Sequence, residues 1–179
     1  TENTTHVDCF GNNNGSAKVT VTNGTADYRF LWSDGQTGQM AENLTAGSYT
    51  VTVTDANGCK SNASVAITQP GKFQLASTPA TTPVDCYGNS NGTATIALQG
   101  GTTNYSITLN GVTKTGSDAS YTFDGLAATT YPATIVDAHG CSITGVSVTI
   151  TQPEELAVAL TSKTDALCNG DANGSINIT

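Results

Sequence analysis

Leu44-Thr45-Ala46-Gly47-Ser48-Tyr49-Thr50-Val51-Thr52-Val53-Thr54-Asp55-Ala56-Asn57-Gly58-Cys59 decides what kind of chain this is. Tyr49, Val51 and Val53 alternate with Thr50, Thr52 and Thr54, and a period of two puts one face of a strand in a core and the other in water. The strand runs into Asn57-Gly58, a pair that supplies the positive-φ residues of a tight hairpin. Outward from this stretch the same grammar recurs. Ala17, Val19 and Val21 alternate with Lys18, Thr20 and Thr22, while Ala94, Ile96 and Leu98, then Tyr105, Ile107 and Leu109, form further inward faces. Asp34-Gly35 and Asn110-Gly111 are additional hairpin signals, and Trp32, which follows Tyr28 and Phe30 at period two, is predicted to pack between sheets.

The chain repeats. Val7-Asp8-Cys9-Phe10-Gly11-Asn12-Asn13-Asn14-Gly15-Ser16-Ala17 returns as Val84-Asp85-Cys86-Tyr87-Gly88-Asn89-Ser90-Asn91-Gly92-Thr93-Ala94, and in degraded form from Leu167-Cys168 to Gly174-Ser175. Asp55-Ala56-Asn57-Gly58-Cys59 returns as Asp137-Ala138-His139-Gly140-Cys141, and Ile67-Thr68-Gln69-Pro70 as Ile150-Thr151-Gln152-Pro153. Landmarks that keep their order at a near-constant period define a repeat array. The second cysteine of one repeat precedes the first cysteine of the next by 27 positions in both cases, whereas the spacing inside a repeat is 50 and then 55. The extra five residues are therefore placed around Lys114 to Ser120, in a loop that absorbs them at small cost.

Boundaries are expected just after Pro70 and Pro153, because proline cannot donate to a ladder and ends a last strand. This gives repeat 1 at residues 1–70 with its first strand missing or frayed, a complete repeat 2 at 71–153, and the start of a truncated repeat 3 at 154–179. Phe73 to Thr78 and Leu156 to Thr161 read as first strands of the following sandwich, and so short a connection predicts a semi-rigid, extended array. Leu44 to Tyr49, with Leu126 and Tyr131 in the second copy, resembles the tyrosine corner of immunoglobulin-like and fibronectin-like sandwiches, with Thr129 standing in place of Gly47. The expected fold class is all-β: tandem immunoglobulin- or fibronectin-like β-sandwich repeats with intradomain disulfides.

Composition excludes several functions. Only 11% of residues are charged, and the six basic ones are scattered along a chain of net charge −8, so the electrostatic footprint of a nucleic-acid binder is missing. No apolar run of membrane-spanning length occurs, so no membrane insertion is expected. Thr1-Glu2-Asn3-Thr4-Thr5 does not read as a signal peptide, and an excised fragment is expected.

Five cysteines follow from the repeat as two pairs, Cys9–Cys59 and Cys86–Cys141, plus Cys168, left unpaired by truncation. Loops of that size would contribute about 4 kcal/mol each in the chain-entropy model, and such pairs indicate an oxidising compartment. Bridged Cα atoms lie within about 7 Å of each other, so both cysteines of a pair must share one end of the sandwich. That requires an even number of strands between the one after Cys9 and the one before Cys59. An additional short strand near Gln39 to Leu44 would put them at opposite ends in a simple meander, unless a loop carries one across. A zinc site is set aside because no closely spaced cysteine pair exists.

The loops Asp8, Asn12, Asn14 and Asp85, Asn89, Asn91 carry side-chain oxygens at near-alternate positions and are candidate calcium ligands. One carboxylate per loop is few, and Asn and Gly also simply make turns; apart from this calcium, no cofactor is expected. Phe10 and Tyr87, beside the first cysteines, are candidate ligand-binding aromatics for sugar stacking, against which stands a plain role as a plug over the disulfide. Asp55 and Asp137 are expected to cap their turns through side-chain to backbone hydrogen bonds. His6 and His139 do not assemble with a nucleophile and an orienting group, and His139 occupies a turn position that holds Asn57 in the first repeat, so no enzyme is expected.

The string Cys-x-Gly-Asn-x-Asn-Gly-Ser/Thr-Ala, with Leu44-Thr45-Ala46-Gly47-Ser48-Tyr49 running through to Gly58-Cys59, resembles the SprB-type repeat of gliding Bacteroidetes. That resemblance implies a segment of a very long cell-surface adhesin filament, exported by type IX secretion and moved by the gliding motor. It implies an extracellular location on the bacterial surface, with outer-membrane attachment through other regions. The implied partners are neighbouring repeats of the same chain, abiotic surfaces or polysaccharides, and the secretion and gliding machinery through other parts of the protein. The alternatives are a carbohydrate-binding module and a non-catalytic spacer of a secreted multidomain enzyme.

Overall fold

The computed structural model describes residues 3–170 and 172–178, and all its regular elements are strands. Asp171, in the third copy of the cysteine loop, lies outside the described residues.

Strands β1 (Asn3–Thr5), β2 (Gly15–Lys18), β3 (Arg29–Trp32), β4 (Met40–Leu44), β5 (Gly47–Thr54) and β6 (Lys60–Ile67) make the first sandwich. One sheet has the order β1-β2-β4 and the other β3-β5-β6, with every neighbour antiparallel. Strands β7 (Gln74–Leu75), β8 (Ala80–Thr82), β9 (Gly92–Gln99), β10 (Tyr105–Leu109), β11 (Val112–Gly116), β12 (Ser120–Leu126), β13 (Thr130–Val136), β14 (Ser142–Ile143) and β15 (Ser147–Thr149) make the second. Here β9 pairs with β12 on one side and with β7 and β8 on the other, while the second sheet runs β11-β10-β13-β14, with β15 also on β13. This is the sheet order of a fibronectin-like sandwich. Strands β16 (Leu160–Thr164) and β17 (Ser175–Ile178) form a separate antiparallel pair, exposed throughout, as expected where one pair has no second sheet to bury against.

The inward faces read from the alternation are the cores. Val7, Ala17, Trp32, Ala41, Leu44, Val51 and Ile67 are buried together, and separately so are Ile96, Ile107, Leu109, Phe123, Ile135 and Val148. Each such large side chain contributes about 1.5–3 kcal/mol by leaving water. Trp32 lies between the sheets as expected, and its indole nitrogen donates to Gly38 O at 2.9 Å. Both tyrosine corners close alike: Tyr49 Oη donates to Thr45 O and Tyr131 Oη to Ala127 O, each at 3.1 Å. The Thr129 replacement is accommodated, with the Thr129 carbonyl accepting from Ile150 N.

The glycine that closes the Asn-x-Asn-Gly string is required by close packing. A Cβ on Gly15 would stand 2.7 Å from Ile67 Cγ2 and 2.8 Å from Leu44 O, and one on Gly92 2.6 Å from Ile150 Cγ2. The first strand of each loop thus passes against the last strand of its sandwich with no room for a side chain.

Three expectations are corrected. The extra residues of the second repeat are not simply a loop: Val112–Gly116 is a strand, β11, hydrogen-bonded along β10 through the Asn110-Gly111 turn, both residues of which have positive φ. The cysteines of one repeat do not share an end. Three strands separate β9 from β13, an odd number, so Cys86 and Cys141 lie at opposite ends. In repeat 1, β4 exists where the added strand was considered, and Ser33 to Gln39 does the work of β11: it carries the chain back along the sandwich so that β3 and β4 run the same way. In consequence the intradomain pairs Cys9–Cys59 and Cys86–Cys141 are not formed. The disulfide is Cys9–Cys141, between repeats, with Cα atoms 5.8 Å apart and a sequence separation of 132, while Cys59, Cys86 and Cys168 are free and exposed.

Candidate functional site, the junction between repeats

Two loops meet at the bridge, and each is built by its own sequence. The Cys9 loop hangs below its sandwich between β1 and β2. Asp8 N donates to Asn14 Oδ1 at 3.3 Å, and Asn12 Nδ2 donates to Asp8 Oδ1 at 3.0 Å. Gly11, at φ 83°, donates its N–H to Gln69 Oε1 at 2.8 Å. The second copy repeats each bond: Asp85 N to Asn91, Asn89 to Asp85, and Gly88 N to Gln152 Oε1. In the third copy Leu167 N finds Asn173 Oδ1 at 3.1 Å.

The calcium candidates Asp8, Asn12 and Asn14, and Asp85, Asn89 and Asn91, are therefore brought together but committed to one another. Each Asp receives an amide N–H from one Asn, and the other Asn spends its oxygen on a backbone N–H. Among the described residues no group of three or more carboxylate, histidine or cysteine side chains is placed to hold a metal. The Asn12 amide, with lesser help from Asn14 and the Cys9 N–H, holds the Asp8 carboxyl below its ordinary 3.8, and Asn89 and then Asn91 do the same for Asp85.

The opposing turn is fixed by Asp137, which is 5% exposed. Its Oδ1 accepts from His139 N and Cys141 N, both at 2.9 Å, and its Oδ2 from Thr102 N at 2.8 Å. Asp55 accepts from Asn57 N, Cys59 N and Thr25 N in the same way, and its carboxyl lies below its ordinary value chiefly through the Thr25 and Cys59 N–H groups. Both aspartates cap their turns as the sequence suggested. The exchange of Asn57 for His139 also has a reason: Asn57 Nδ2 reaches Thr25 Oγ1 at 3.0 Å, and His139 Nδ1 reaches Thr102 Oγ1 at 3.2 Å. His6 is not frayed, since its Nδ1 accepts from Thr68 N.

Across the junction, His139 Nδ1 lies 3.2 Å from Asp8 O, and Cys141 Sγ lies 3.6 Å from the same oxygen. The Cys9 loop of repeat 1 therefore sits on the Cys141 turn of repeat 2. Beside this contact the connecting segment packs on repeat 2. Gly71 O accepts from Gly101 N at 2.8 Å, Phe73 stacks on Tyr105 with ring centres 5.4 Å apart, and β7 pairs with Leu98 and Gln99. The corresponding place on repeat 1 is open. A cavity of about 340 Å³ is lined there by Val19, Val21, Gly24, Tyr28, Asp55 and Cys59, among others. At the other end of repeat 2 a cavity of about 350 Å³ lies between Asp85-Cys86-Tyr87 and the Pro153 to Leu156 segment.

Phe10 and Tyr87 are 52% and 51% exposed, one aromatic at the same place in each repeat. The glutamine contacts, Gln69 to Gly11 and Gln152 to Gly88, were missed in reading the residues; the recurrence of Gln-Pro at the close of each repeat was the signal. Among the described residues no helix is long and apolar enough to cross a membrane.

The SprB repeat family model matches residues 1–37 and 78–114, two segments that each hold one cysteine loop and the strands on either side of it, the first ending just past β3 and the second inside β11. No curated protein matches the chain. Among solved structures, the fibronectin(III)-like modules of Clostridium thermocellum CbhA are similar at 14% identity and a TM-score of 0.30, over 78% of this chain and 85% of that one. Extracellular domains 3–5 of Drosophila OTK are similar at 14% identity and a TM-score of 0.31, over 71% and 51%. The central fibronectin-III array of RIM-binding protein is similar at 14% identity and 0.29, over 88% and 64%.

Proposed function

For a chain that carries SprB repeats at residues 1–37 and 78–114, we propose a load-bearing, non-catalytic role in a cell-surface adhesin filament that attaches gliding bacteria to a substratum. The observation that carries this reading is the junction: successive sandwiches are joined by a connection of a few residues, by loop-to-turn hydrogen bonds and by Cys9–Cys141. A protein that transmits pull along its length needs stiff, short junctions, and a disulfide needs the oxidising exterior to form and persist. Export by type IX secretion and attachment to the outer membrane through other regions belong to the same reading.

The test is whole-cell labelling with antibody raised against residues 7–150, followed by beads coated with that antibody. Labelling of intact cells with bead transport along the surface supports the reading, and an epitope reached only after lysis refutes it. A second reading, glycan binding, draws on the recurring exposed Phe10 and Tyr87. It requires saturable binding of a soluble polysaccharide by the isolated chain that is lost in Phe10→Ala with Tyr87→Ala.

A further inference from the structure

We infer that Cys59 and Cys86 are two halves of further inter-repeat disulfides, so that the first cysteine of each repeat is bonded to the second cysteine of the repeat that follows. Cys59 takes the first cysteine of a preceding repeat, and Cys86 takes the second cysteine of a following one.

The two unbonded surfaces are equivalent to the two bonded ones. Cys86 sits in a loop whose hydrogen bonds duplicate those around Cys9, down to the glutamine that anchors the glycine. Cys59 sits in a turn whose aspartate accepts the same three N–H groups as that of Cys141. One loop and one turn of this kind bond to each other in the structure, while the Cys59 turn and the Cys86 loop, together with the third loop at Cys168, are left exposed with free thiols.

An independent observation identifies the occupant on the Cys59 side. Val19, Val21, Gly24, Tyr28 and Asp55, which line the open cavity, are the counterparts of Ile96, Leu98, Gly101, Tyr105 and Asp137. In repeat 2 that face is covered by the connection from the preceding repeat, Gly71 to Leu75. There Tyr105 and Asp137 are buried, whereas Tyr28 and Asp55 are only half-buried. The cavity thus has the shape and chemistry of a seat for another Gly-Lys-Phe-Gln-Leu-like connection, with an aromatic ring to stack on Tyr28. The connection that fills it would bring a Cys-x-Gly-Asn loop to Cys59. On the Cys86 side, the cavity against Pro153 to Leu156 faces the end where the next Asp-x-x-Gly-Cys turn belongs.

Formation is by thiol–disulfide exchange. Two cysteine thiols lose two protons and two electrons to the disulfide of an external protein oxidant; a mixed disulfide forms with the first thiolate, the second thiolate displaces it, and the oxidant leaves as a dithiol.

This inference rests on the exported-array reading, and the experiment separates the two. Full-length protein is released from intact cells, its free thiols are alkylated before reduction, and it is digested and mapped without reduction. The expected result is that the Cys59 peptide is joined to a peptide carrying a Cys-x-Gly-Asn loop and the Cys86 peptide to one carrying an Asp-x-x-Gly-Cys turn, neither being alkylated. Alkylated Cys59 and Cys86, or the pairs Cys9–Cys59 and Cys86–Cys141, overturn it. Because the material comes from the surface of intact cells, free thiols there would sink the inter-repeat bonds and leave the adhesin reading standing. Failure to release any of the protein without lysis would sink both.

Discussion

Pulling the oxidised chain from its two ends should leave everything between Cys9 and Cys141 unextended, and load only β1 on one side and β14, β15 and the last strand pair on the other. The covalent path from the first residue runs to Cys9, crosses the bridge to Cys141 and continues to the last residue, so the chain between the two cysteines, a sequence separation of 132, carries no load. Reducing the bond, or replacing Cys9 with serine, returns it to the load path. At roughly 3.3–3.6 Å per extended residue, less the 5.8 Å already spanned by the bridged Cα atoms, the contour length should grow by about 430–470 Å. The assay is single-molecule force spectroscopy with handles at the termini, repeated on the same molecules before and after a reductant is added. In the oxidised form only the segments outside the bridge extend, β1 ahead of Cys9 and β14 to β17 beyond Cys141; after reduction two new unfolding events appear, one per core. Two separate gains on the order of 170 and 190 Å would instead indicate locks of 50 and 55 residues, and the inter-repeat bridge would be wrong. So would full extension of the oxidised chain.

Asp137→Ala leaves the N–H groups of Thr102, His139 and Cys141 without their acceptor and should destabilise the second sandwich by about 2–3 kcal/mol, read from urea unfolding of the chain with its thiols blocked. Gly92→Ala forces a Cβ against Ile150 and the Leu126 carbonyl and should cost about 1–3 kcal/mol in the same measurement; an unchanged midpoint would refute the close-packing account of the Asn-x-Asn-Gly string. Tyr121 is buried with a hydroxyl that has no partner, so Tyr121→Phe should be neutral or stabilise by up to about 1 kcal/mol, and a loss would mean that a water serves that oxygen. Asp8, Asp55 and Asp85 have carboxyls held below 3.8 by hydrogen bonds. Each therefore stabilises its loop above that pH, and the contribution is lost as pH falls through the lowered folded value. NMR titration of the three carboxyl carbons should give midpoints under 3.8, and midpoints at or above it would remove the hydrogen bonds from the explanation.

The parts of this protein written in short-range code were legible. Alternation along β5, β9 and β10 named the buried faces, the turn aspartates and tyrosine corners were recognisable from four or five residues each, and the repeated landmarks gave the order of elements. The cysteine pairing was not legible, because it depends on which end of a sandwich each loop occupies. That in turn depends on whether Ser33 to Gln39 and Val112 to Gly116 traverse the domain or merely turn. Neither stretch has an apolar period that says so: β11 has one face in water and its valine, Val112, is 53% exposed. The seat for the connecting segment was equally hidden, since Phe73 and Tyr105 meet only once the chain has crossed from one sandwich to the next. The calcium reading assigned oxygens by spacing alone, and spacing could not show that amide nitrogens would face the carboxylate.

The two distances along this chain obey different tolerances. From Cys59 to Cys86, and again from Cys141 to Cys168, the count is 27, while inside the sandwiches it differs by five residues, with the additional strand β11 on the β10 side of the sheet. Growth there lies lateral to the junction and between the anchoring cysteines, so it leaves the repeat-to-repeat pitch untouched. Such an array can vary what it displays along its flank, hairpin by hairpin, while its ruler stays fixed.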